Sequence, residues 1–180
     1  MGDFKPHVLK LLAAAVVASA CCAAQAGNAQ DEAFTGALAD GVTTAVGLAA
    51  GAAELNPLGP VLAIGMKLAV WQYAKRLPDT EQPGAYAAAA AWWQGAAANN
   101  LCLVASIASG GSFAPACVVI GVAWGMKTWQ DSEPEREFWQ GCAMLRQYAG
   151  EPGLACVYRA PAGEPVDTAA VAHLAELQVP

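Results

Sequence analysis

The hydrophobic pattern of this chain is dominated by a stretch without charge, since residues 82–126 contain no Asp, Glu, Lys or Arg. A transmembrane helix needs roughly 20 apolar residues, so this stretch is long enough to cross a bilayer twice. The turn signal Ser-Gly-Gly-Ser at residues 109–112 divides it into two predicted helices, at residues 86–108 and 113–129. The pattern predicts a membrane-spanning helical hairpin.

A second apolar region precedes the first, where residues 41–74 carry only Glu54 and Lys67 as charged side chains. It predicts helices at residues 34–54 and 61–76, because the prolines and glycine at residues 57–60 cannot continue a helix. The predicted fold class is therefore all-α, a small helical bundle of about four helices after a signal sequence, predicted to be transmembrane.

Aromatic residues lie near the ends of the predicted helices, namely Trp71, Tyr73, Tyr86, Trp124 and Trp129. This placement is typical of an aromatic belt at a membrane interface. Large packing residues in a helical core would give the same pattern.

The chain becomes polar near residue 131, where acidic residues cluster. Ser132, Pro134 and the neighbouring acids are typical of a helix start, and Gly150 suits the end of that helix. We divide the chain into a signal segment, a hydrophobic bundle, a periplasmic amphipathic helix with a disulfide loop, and a flexible tail. These parts cover residues 1–26, 27–130, 131–160 and 161–180.

The N-terminal segment has the layout of a secretory signal: a basic start, an apolar stretch and the small residues Ala24-Gln25-Ala26. The alternatives are a lipoprotein attached at Cys21 and an uncleaved anchor helix. All three place the start of the mature chain outside the cytoplasm. We expect a bacterial inner-membrane protein with a periplasmic C-terminus, or alternatively a periplasmic or secreted one. Lys75 and Arg76 conflict with the positive-inside tendency in a four-span topology.

Composition supports an apolar environment, since 56% of the residues are hydrophobic and 13% are charged, against about 25% charged in typical domains. Much of the apolar content is alanine, which is only weakly favourable in a bilayer and also suits a tightly packed soluble bundle. The net charge of −6 and the lack of a basic run exclude an obvious nucleic-acid partner. The expected partners are the lipid bilayer and either a second copy or another membrane protein.

Four cysteines remain after removal of the signal, and an even number permits disulfides in an exported chain. Cys142 and Cys156 flank a turn at residues 150–153 and are predicted to pair. Cys102 and Cys117 lie at unequal distances from the turn between their helices, which separates them by roughly 5 Å in depth. This separation disfavours a bridge unless the turn is lopsided, so the sequence leaves open whether the two pair.

The first predicted helix carries a polar stripe, because its polar and small residues recur every three or four positions. Lys67 on the second helix is the expected partner of Glu54. The residues predicted to form a polar site inside the bundle are Asp40, Thr43, Thr44, Glu54, Asn56, Lys67, Asn99 and Asn100. The glycines predicted to bring the helices together are Gly47, Gly51, Gly121 and Gly125. Two interpretations stay open, namely structural hydrogen bonds between helices or a path for ions or protons.

The pattern Asp40-x-x-Thr43-Thr44, followed by a Gly-x-x-Glu-x-Asn-Pro sequence at residues 51–57, resembles that of a known family. The family consists of small bacterial multi-span membrane proteins of unknown function. In its members the first helix carries an acid and hydroxyl groups and ends in Glu-x-Asn-Pro. The resemblance covers the first two helices, implies a multi-span membrane protein and supplies no activity.

Motifs for catalysis, metal or cofactor binding are missing from the sequence, which has no Cys-x-x-Cys pair, no phosphate-binding loop and one histidine, His173, after the signal. Asp40 and Glu54 would lie about 21 Å apart along one helix, too far to act on one bond. We expect no enzyme and no cofactor. The expected function is a structural accessory or assembly subunit of the cell envelope. The alternatives are a small ion or proton transporter using Asp40, Glu54 and Lys67, and a soluble exported binding module.

Overall fold

The computed structural model describes residues 28–50, 59–110 and 114–159, and these residues form five helices and no strand. The predicted all-α class is confirmed. The signal segment and the tail lie outside the described residues. The helices are α1 (Ala29–Ala49), α2 (Gly59–Ala74), α3 (Gln82–Ala108), α4 (Ala114–Asp131) and α5 (Glu133–Ala149).

Helix α1 begins at Ala29, earlier than the predicted start near Phe34, because Asn28 caps it. The Asn28 side chain accepts a hydrogen bond from the Asp31 N–H at 2.9 Å. Asp31 and Glu32 in the first turn place acid at the positive end of the helix dipole. This local start signal outweighs the lack of large apolar residues before Phe34.

Helix α3 is the central element, with α1 and α4 packed along its sides. Helix α1 runs parallel to α3, because Gly36 lies against Ala90 while Asp40, one turn later, lies against Asn100. Helix α4 returns antiparallel to α3 and completes a helical hairpin.

Helix α2 runs antiparallel to α1. The Trp71 ring lies 6.2 Å from the Phe34 ring near the start of α1, and Lys67, one turn earlier in α2, lies beside Asp40. The Trp71 ring also lies 5.0 Å from the ring of Tyr86 in α3. Helix α2 thus covers the beginnings of α1 and α3.

Glycines let the backbones of α3 and α4 touch. A Cβ atom added at Gly95 would lie 2.7 Å from the Gly121 carbonyl oxygen, and one at Gly125 would lie 2.7 Å from a carbonyl oxygen of α3. The predicted packing glycines Gly121 and Gly125 therefore lie in this interface. Gly47 is buried in α1, and Gly51 lies outside the described residues.

The core consists mainly of alanine, whose small side chain lets α1, α2 and α3 approach one another closely. Its largest side chains are Tyr86 and Trp93, while the neighbouring Trp92 is 77% exposed. The alanines of the core are Ala29, Ala33, Ala74, Ala87, Ala89 and Ala90.

Helix α5 begins and ends where its sequence predicts. Gly150 follows it in the left-handed conformation, with φ of 68°, which glycine adopts at low cost. Ser132 does not cap the helix as expected. Its hydroxyl donates to the Trp129 carbonyl at 2.7 Å and accepts from Arg136 Nε at 3.2 Å instead.

Across the three described ranges, none of the helices combines the length and the apolar character needed to cross a membrane. The expected transmembrane spans are thus not found there. Helix α3 is long enough but consists largely of alanine and carries Gln94, Asn99 and Asn100. Helix α4 ends with Lys127 and Asp131.

Candidate functional site

A polar cluster joins α1, α2 and α3 in the interior of the bundle. We define the polar cluster as Asp40, Thr43, Thr44, Lys67 and Asn100. The Lys67 ammonium group lies 2.8 Å from Asp40 Oδ2, and both side chains are more than four-fifths buried. Lys67 also donates to the Ala37 carbonyl at 2.9 Å.

The Asn100 amide completes the polar cluster from α3. Its Nδ2 atom donates to Asp40 Oδ1 at 3.1 Å and to the Thr44 hydroxyl at 3.0 Å, with the Thr43 hydroxyl 3.4 Å away. The Thr43 hydroxyl, which is fully buried, donates to the Asp40 carbonyl at 3.2 Å. Each carboxylate oxygen of Asp40 therefore has its own partner.

Four predicted members of the site need a separate description. Lys67 pairs with Asp40, because the antiparallel packing of α1 and α2 brings Lys67 beside the turn of α1 that holds Ala37 and Asp40. Glu54 and Asn56 lie outside the described residues. Asn99 points toward Gly121 of α4, because adjacent residues of a helix face directions about 100° apart. Asn99 therefore does not belong to the polar cluster.

A second polar site, which the sequence did not reveal, lies where α1 begins and α4 meets α5. Glu135 Oε2 accepts a hydrogen bond from the Ala29 N–H at 2.6 Å, so a carboxylate of α5 caps the start of α1. Glu32 and Asp131 lie close enough to influence one another electrostatically, and we call Glu32, Asp131 and Glu135 the acidic junction. The acid-rich starts of α1 and α5 were the only signals for it, and nothing in the sequence brought them together.

Burial and like charge disturb the titration of the acidic junction. Burial raises the pKa of Glu32 from 4.5 to about 7, helped by the negative charges of Asp131 and Glu135 and opposed by Lys127. Burial also raises the pKa of Glu135, partly offset by the Ala29 N–H. Glu32 Oε2 is buried and accepts no hydrogen bond from the described residues. A proton on Glu32 near neutral pH relieves this repulsion.

The described residues contain two disulfides, Cys142–Cys156 as predicted and Cys102–Cys117, which the sequence left open and which joins α3 to α4. The Cα atoms of Cys102 and Cys117 are 5.2 Å apart. The expected difference in depth is absent because the contact of Gly95 with Gly121 sets the register of the hairpin. Gly95 packs between Gly121 and Gly125, so about two turns along α3 from Gly95 and about two turns back along α4 from that point lead to the same level.

Helix α5 is also tied to the turn between α2 and α3. Arg146 donates to both carboxylate oxygens of Asp79, at 2.7 and 2.8 Å, and to the Leu154 carbonyl at 2.8 Å. The hydrogen bond from Arg146 lowers the pKa of Asp79. This pair and the Glu135 cap hold α5 across one end of the bundle, while the Cys142–Cys156 bridge ties α5 to the segment that follows it.

Within the described ranges, no three His, Cys, Asp or Glu side chains are placed to hold a metal ion. The Asp, Lys, Thr and Asn groups of the polar cluster can form ion pairs and hydrogen bonds, and they already do so with one another.

The fold and the site define a disulfide-linked all-α bundle with an internal polar cluster. Comparisons with protein-family models, curated proteins and solved structures found no match. The resemblance of the first two helices to a membrane-protein family therefore stays a prediction.

Proposed function

We propose that the protein is an exported structural subunit of the bacterial cell envelope, acting as an accessory or assembly component. The observation that carries this proposal is the mutual pairing within the polar cluster. Asp40 binds both Lys67 and Asn100, and Lys67 has a second acceptor in α1. Groups that satisfy one another across three helices hold those helices together, whereas a conducting path needs groups that exchange partners with a passing ion.

The two disulfides support the exported part of the proposal. Disulfides persist in oxidising compartments and are rare in the cytosol of most bacteria. The signal-like first 26 residues agree with this compartment. We expect the full chain, expressed in a bacterium, to lose residues 1–26 and to resist thiol alkylation until it is reduced. Mass spectrometry that shows a retained N-terminus and all six cysteines alkylated without reduction would contradict export.

The structural role is tested by separating charge from packing in the polar cluster. We expect Asp40→Asn and Lys67→Met each to lower the free energy of unfolding by about 1–3 kcal/mol, because each leaves a mostly buried charge without its partner. The double variant recovers most of that loss, since it leaves no unpaired charge. Chemical denaturation measures all three. Arg76→Met is the control, because Arg76 is an exposed cation near the end of α2 and its loss changes stability by less than about 0.5 kcal/mol.

A transport role predicts a different outcome from the same variants. Ion or proton flux into vesicles would disappear in the double variant even though its stability is restored. Such a flux, present in the wild type and abolished without Asp40 and Lys67, would replace the structural proposal.

A further inference from the structure

Charge is distributed very unevenly along the axis of the bundle. At one end, which we call the apolar end, residues 41–50, 63–66, 98–110 and 114–123 carry no acidic or basic side chain. The connections at 51–58, which contains Glu54, and 111–113 lie outside the described residues. The Asp40–Lys67 pair marks the limit of the apolar end. All other charged side chains of the described residues lie toward the opposite, charged end, where α5 crosses the bundle.

The surface of the apolar end consists of aliphatic side chains that no described residue covers. Val42 of α1, Ile64 and Met66 of α2, and Val118 and Val119 of α4 are each between 51% and 68% exposed. These residues come from three different helices and therefore surround the bundle. Clusters of exposed aliphatic side chains on a soluble protein mark surfaces that interact with a partner or a membrane.

Exposed aromatic side chains form a ring between the apolar end and the charged end. We call Phe34, Tyr73, Trp92, Trp124 and Trp129 the aromatic girdle; their exposed fractions run from 39% to 77%. No described residue of the apolar end is aromatic.

Contacts between helices place the members of the aromatic girdle at one level. The Phe34 ring contacts Trp71, which is two residues from Tyr73. The Thr128 hydroxyl donates to Gln94 Oε1 at 3.2 Å and to the Trp124 carbonyl at 3.1 Å. The bond to Gln94 sets Trp124 and Trp129 of α4 at about the level of Trp92 of α3, with Lys127 between the two in α4. From the charged end to the apolar end, the exposed side chains are thus mainly charged, then aromatic, then aliphatic.

We propose that the apolar end inserts into the hydrocarbon of a lipid bilayer from one side, with the aromatic girdle at the level of the headgroups. Tryptophan and tyrosine favour that level, and aliphatic side chains favour the hydrocarbon beneath it. This inference deepens the proposed function, on which it rests, by naming the surface that the envelope subunit packs against.

The dimensions fit partial insertion. From Trp124 to the start of α4 is about 15 Å, and from Trp92 to the end of α3 is about 24 Å, against about 30 Å for the hydrocarbon core. The apolar end therefore enters the bilayer without needing a helix that crosses it. The polar cluster lies just inside the inserted part, and its internal hydrogen bonds remove the cost of exposing polar groups to lipid.

A second copy of the chain fits the apolar end less well. A twofold partner covers one side of a bundle, whereas exposed aliphatic residues occur on α1, α2 and α4 around it. The glycines Gly95, Gly121 and Gly125, which bring helices together, are already used inside the chain. A fluid hydrocarbon phase covers all sides at once.

The test is flotation of the purified, oxidised full chain with vesicles of phosphatidylethanolamine and phosphatidylglycerol. We expect the wild type to float with the vesicles and Val119→Glu to reduce the bound fraction at least about tenfold, because a carboxylate enters the hydrocarbon. Tyr148→Glu is the matched control, since Tyr148 is 91% exposed but lies on α5 at the charged end. Its bound fraction stays within about twofold of the wild type.

Tryptophan quenching adds a reading on the unmodified chain. Lipids brominated near the headgroup should quench its fluorescence more than lipids brominated near the chain ends. If Val119→Glu loses its cooperative unfolding, Ile64→Glu on α2 replaces it, because Ile64 is 60% exposed in the same apolar end.

Three outcomes would overturn the inference: a wild type that does not float, a Val119→Glu variant that floats equally well, or quenching that is strongest at the chain ends. A lipid-free dimer that Val119→Glu converts to monomers, without vesicle binding, would assign the apolar end to a second copy. A chain that fails to bind vesicles can still lose its signal and carry oxidised cysteines. Failure of membrane insertion is therefore distinguishable from failure of the proposed envelope function.

Discussion

Among single residues, Glu32 carries the largest unrelieved electrostatic cost in the described part of the chain. Its carboxylate lies between Asp131 and Glu135, and one of its oxygens has no hydrogen-bond partner among the described residues. In the unfolded chain the same group titrates near 4.5. Between these two pKa values the folded protein holds a proton that the unfolded chain releases.

The stability of the protein should therefore fall as pH rises. The contribution of protonated Glu32 to the free energy of unfolding is fully present below about pH 4.5 and is lost as the pH rises through about 7. For a half-buried, partly screened group we expect a loss of about 1–2 kcal/mol. Glu135 acts in the same direction, because its pKa is also raised. Thermal unfolding between pH 4.5 and 8 measures the effect.

Glu32→Gln serves as the comparison for this pH dependence. The amide cannot ionise, so we expect a flatter pH profile and a higher melting temperature than wild type above pH 7. An unchanged slope in the variant would assign the pH dependence to other groups.

The glycines of the hairpin give a second residue-scale prediction. Gly95→Ala should lower the free energy of unfolding by about 1–3 kcal/mol, because its Cβ would overlap a backbone oxygen that cannot move away. Gly141→Ala on α5 is the control, since nothing lies within 4 Å of its Cβ, and helix propensity makes it neutral or stabilising. Equal effects in the two variants, measured by urea denaturation, would rule out close packing as the cause.

At the scale of elements, the α3–α4 hairpin is held by both close packing and the Cys102–Cys117 disulfide. The disulfide closes a loop with a sequence separation of 15 residues. Loops of this length contribute on the order of 3 kcal/mol by restricting the unfolded chain. The disulfide thus fixes the same register that the glycines favour.

Replacing both Cys102 and Cys117 by alanine should lower the free energy of unfolding by about 3 kcal/mol while leaving the helical circular dichroism unchanged. The matched comparison is the double alanine variant of Cys142 and Cys156. The disulfide that this variant removes closes a loop of similar length, with a sequence separation of 14 residues. A loss of helicity on removal of Cys102–Cys117 would mean that the disulfide, rather than the glycine contact, aligns the hairpin.

At the scale of the whole molecule, stability is concentrated around α3, while α5 is held at a few points. Helix α3 lies between α1 and α4, and its buried alanines lie in the core. Helix α5 is held to the other helices by the Glu135 cap and the Arg146–Asp79 pair, because its disulfide joins it only to the segment that follows it. Local opening follows such differences in packing.

Native-state hydrogen exchange should therefore show slow amides in α3 and faster ones in α5. Raising the pH, with the rates corrected for the pH dependence of intrinsic exchange, should widen the difference in protection between α3 and α5. The reason is that ionised Glu32 repels Glu135 of α5. Exchange that is equally slow in α5 would mean that the contacts at the acidic junction are tighter than their geometry suggests.

Local sequence signals located most of the helices. Helix α1 ends at Ala49 and α2 begins at Gly59, on either side of the predicted break, with Pro60 in the first turn of α2, where proline is tolerated; Gly150 ends α5, as predicted. These signals act through dihedral angles and caps of a few neighbouring residues, so they can be read without the fold. Helix α1 begins five residues before the predicted start at Phe34, because the Asn28 cap starts the helix ahead of its first large apolar residue.

The sequence by itself determined the all-α class, the helix breaks, the exceptional lack of charge from residue 82 to residue 126 and the Cys142–Cys156 pair across a short turn. Only the tertiary structure decided that Lys67 binds Asp40, that Asn99 and Asn100 face different helices, and that Glu135 caps α1. The physical reason is register. Which residues meet across two helices depends on where their backbones approach most closely, and here the glycines and alanines along the whole length of each helix set that position together.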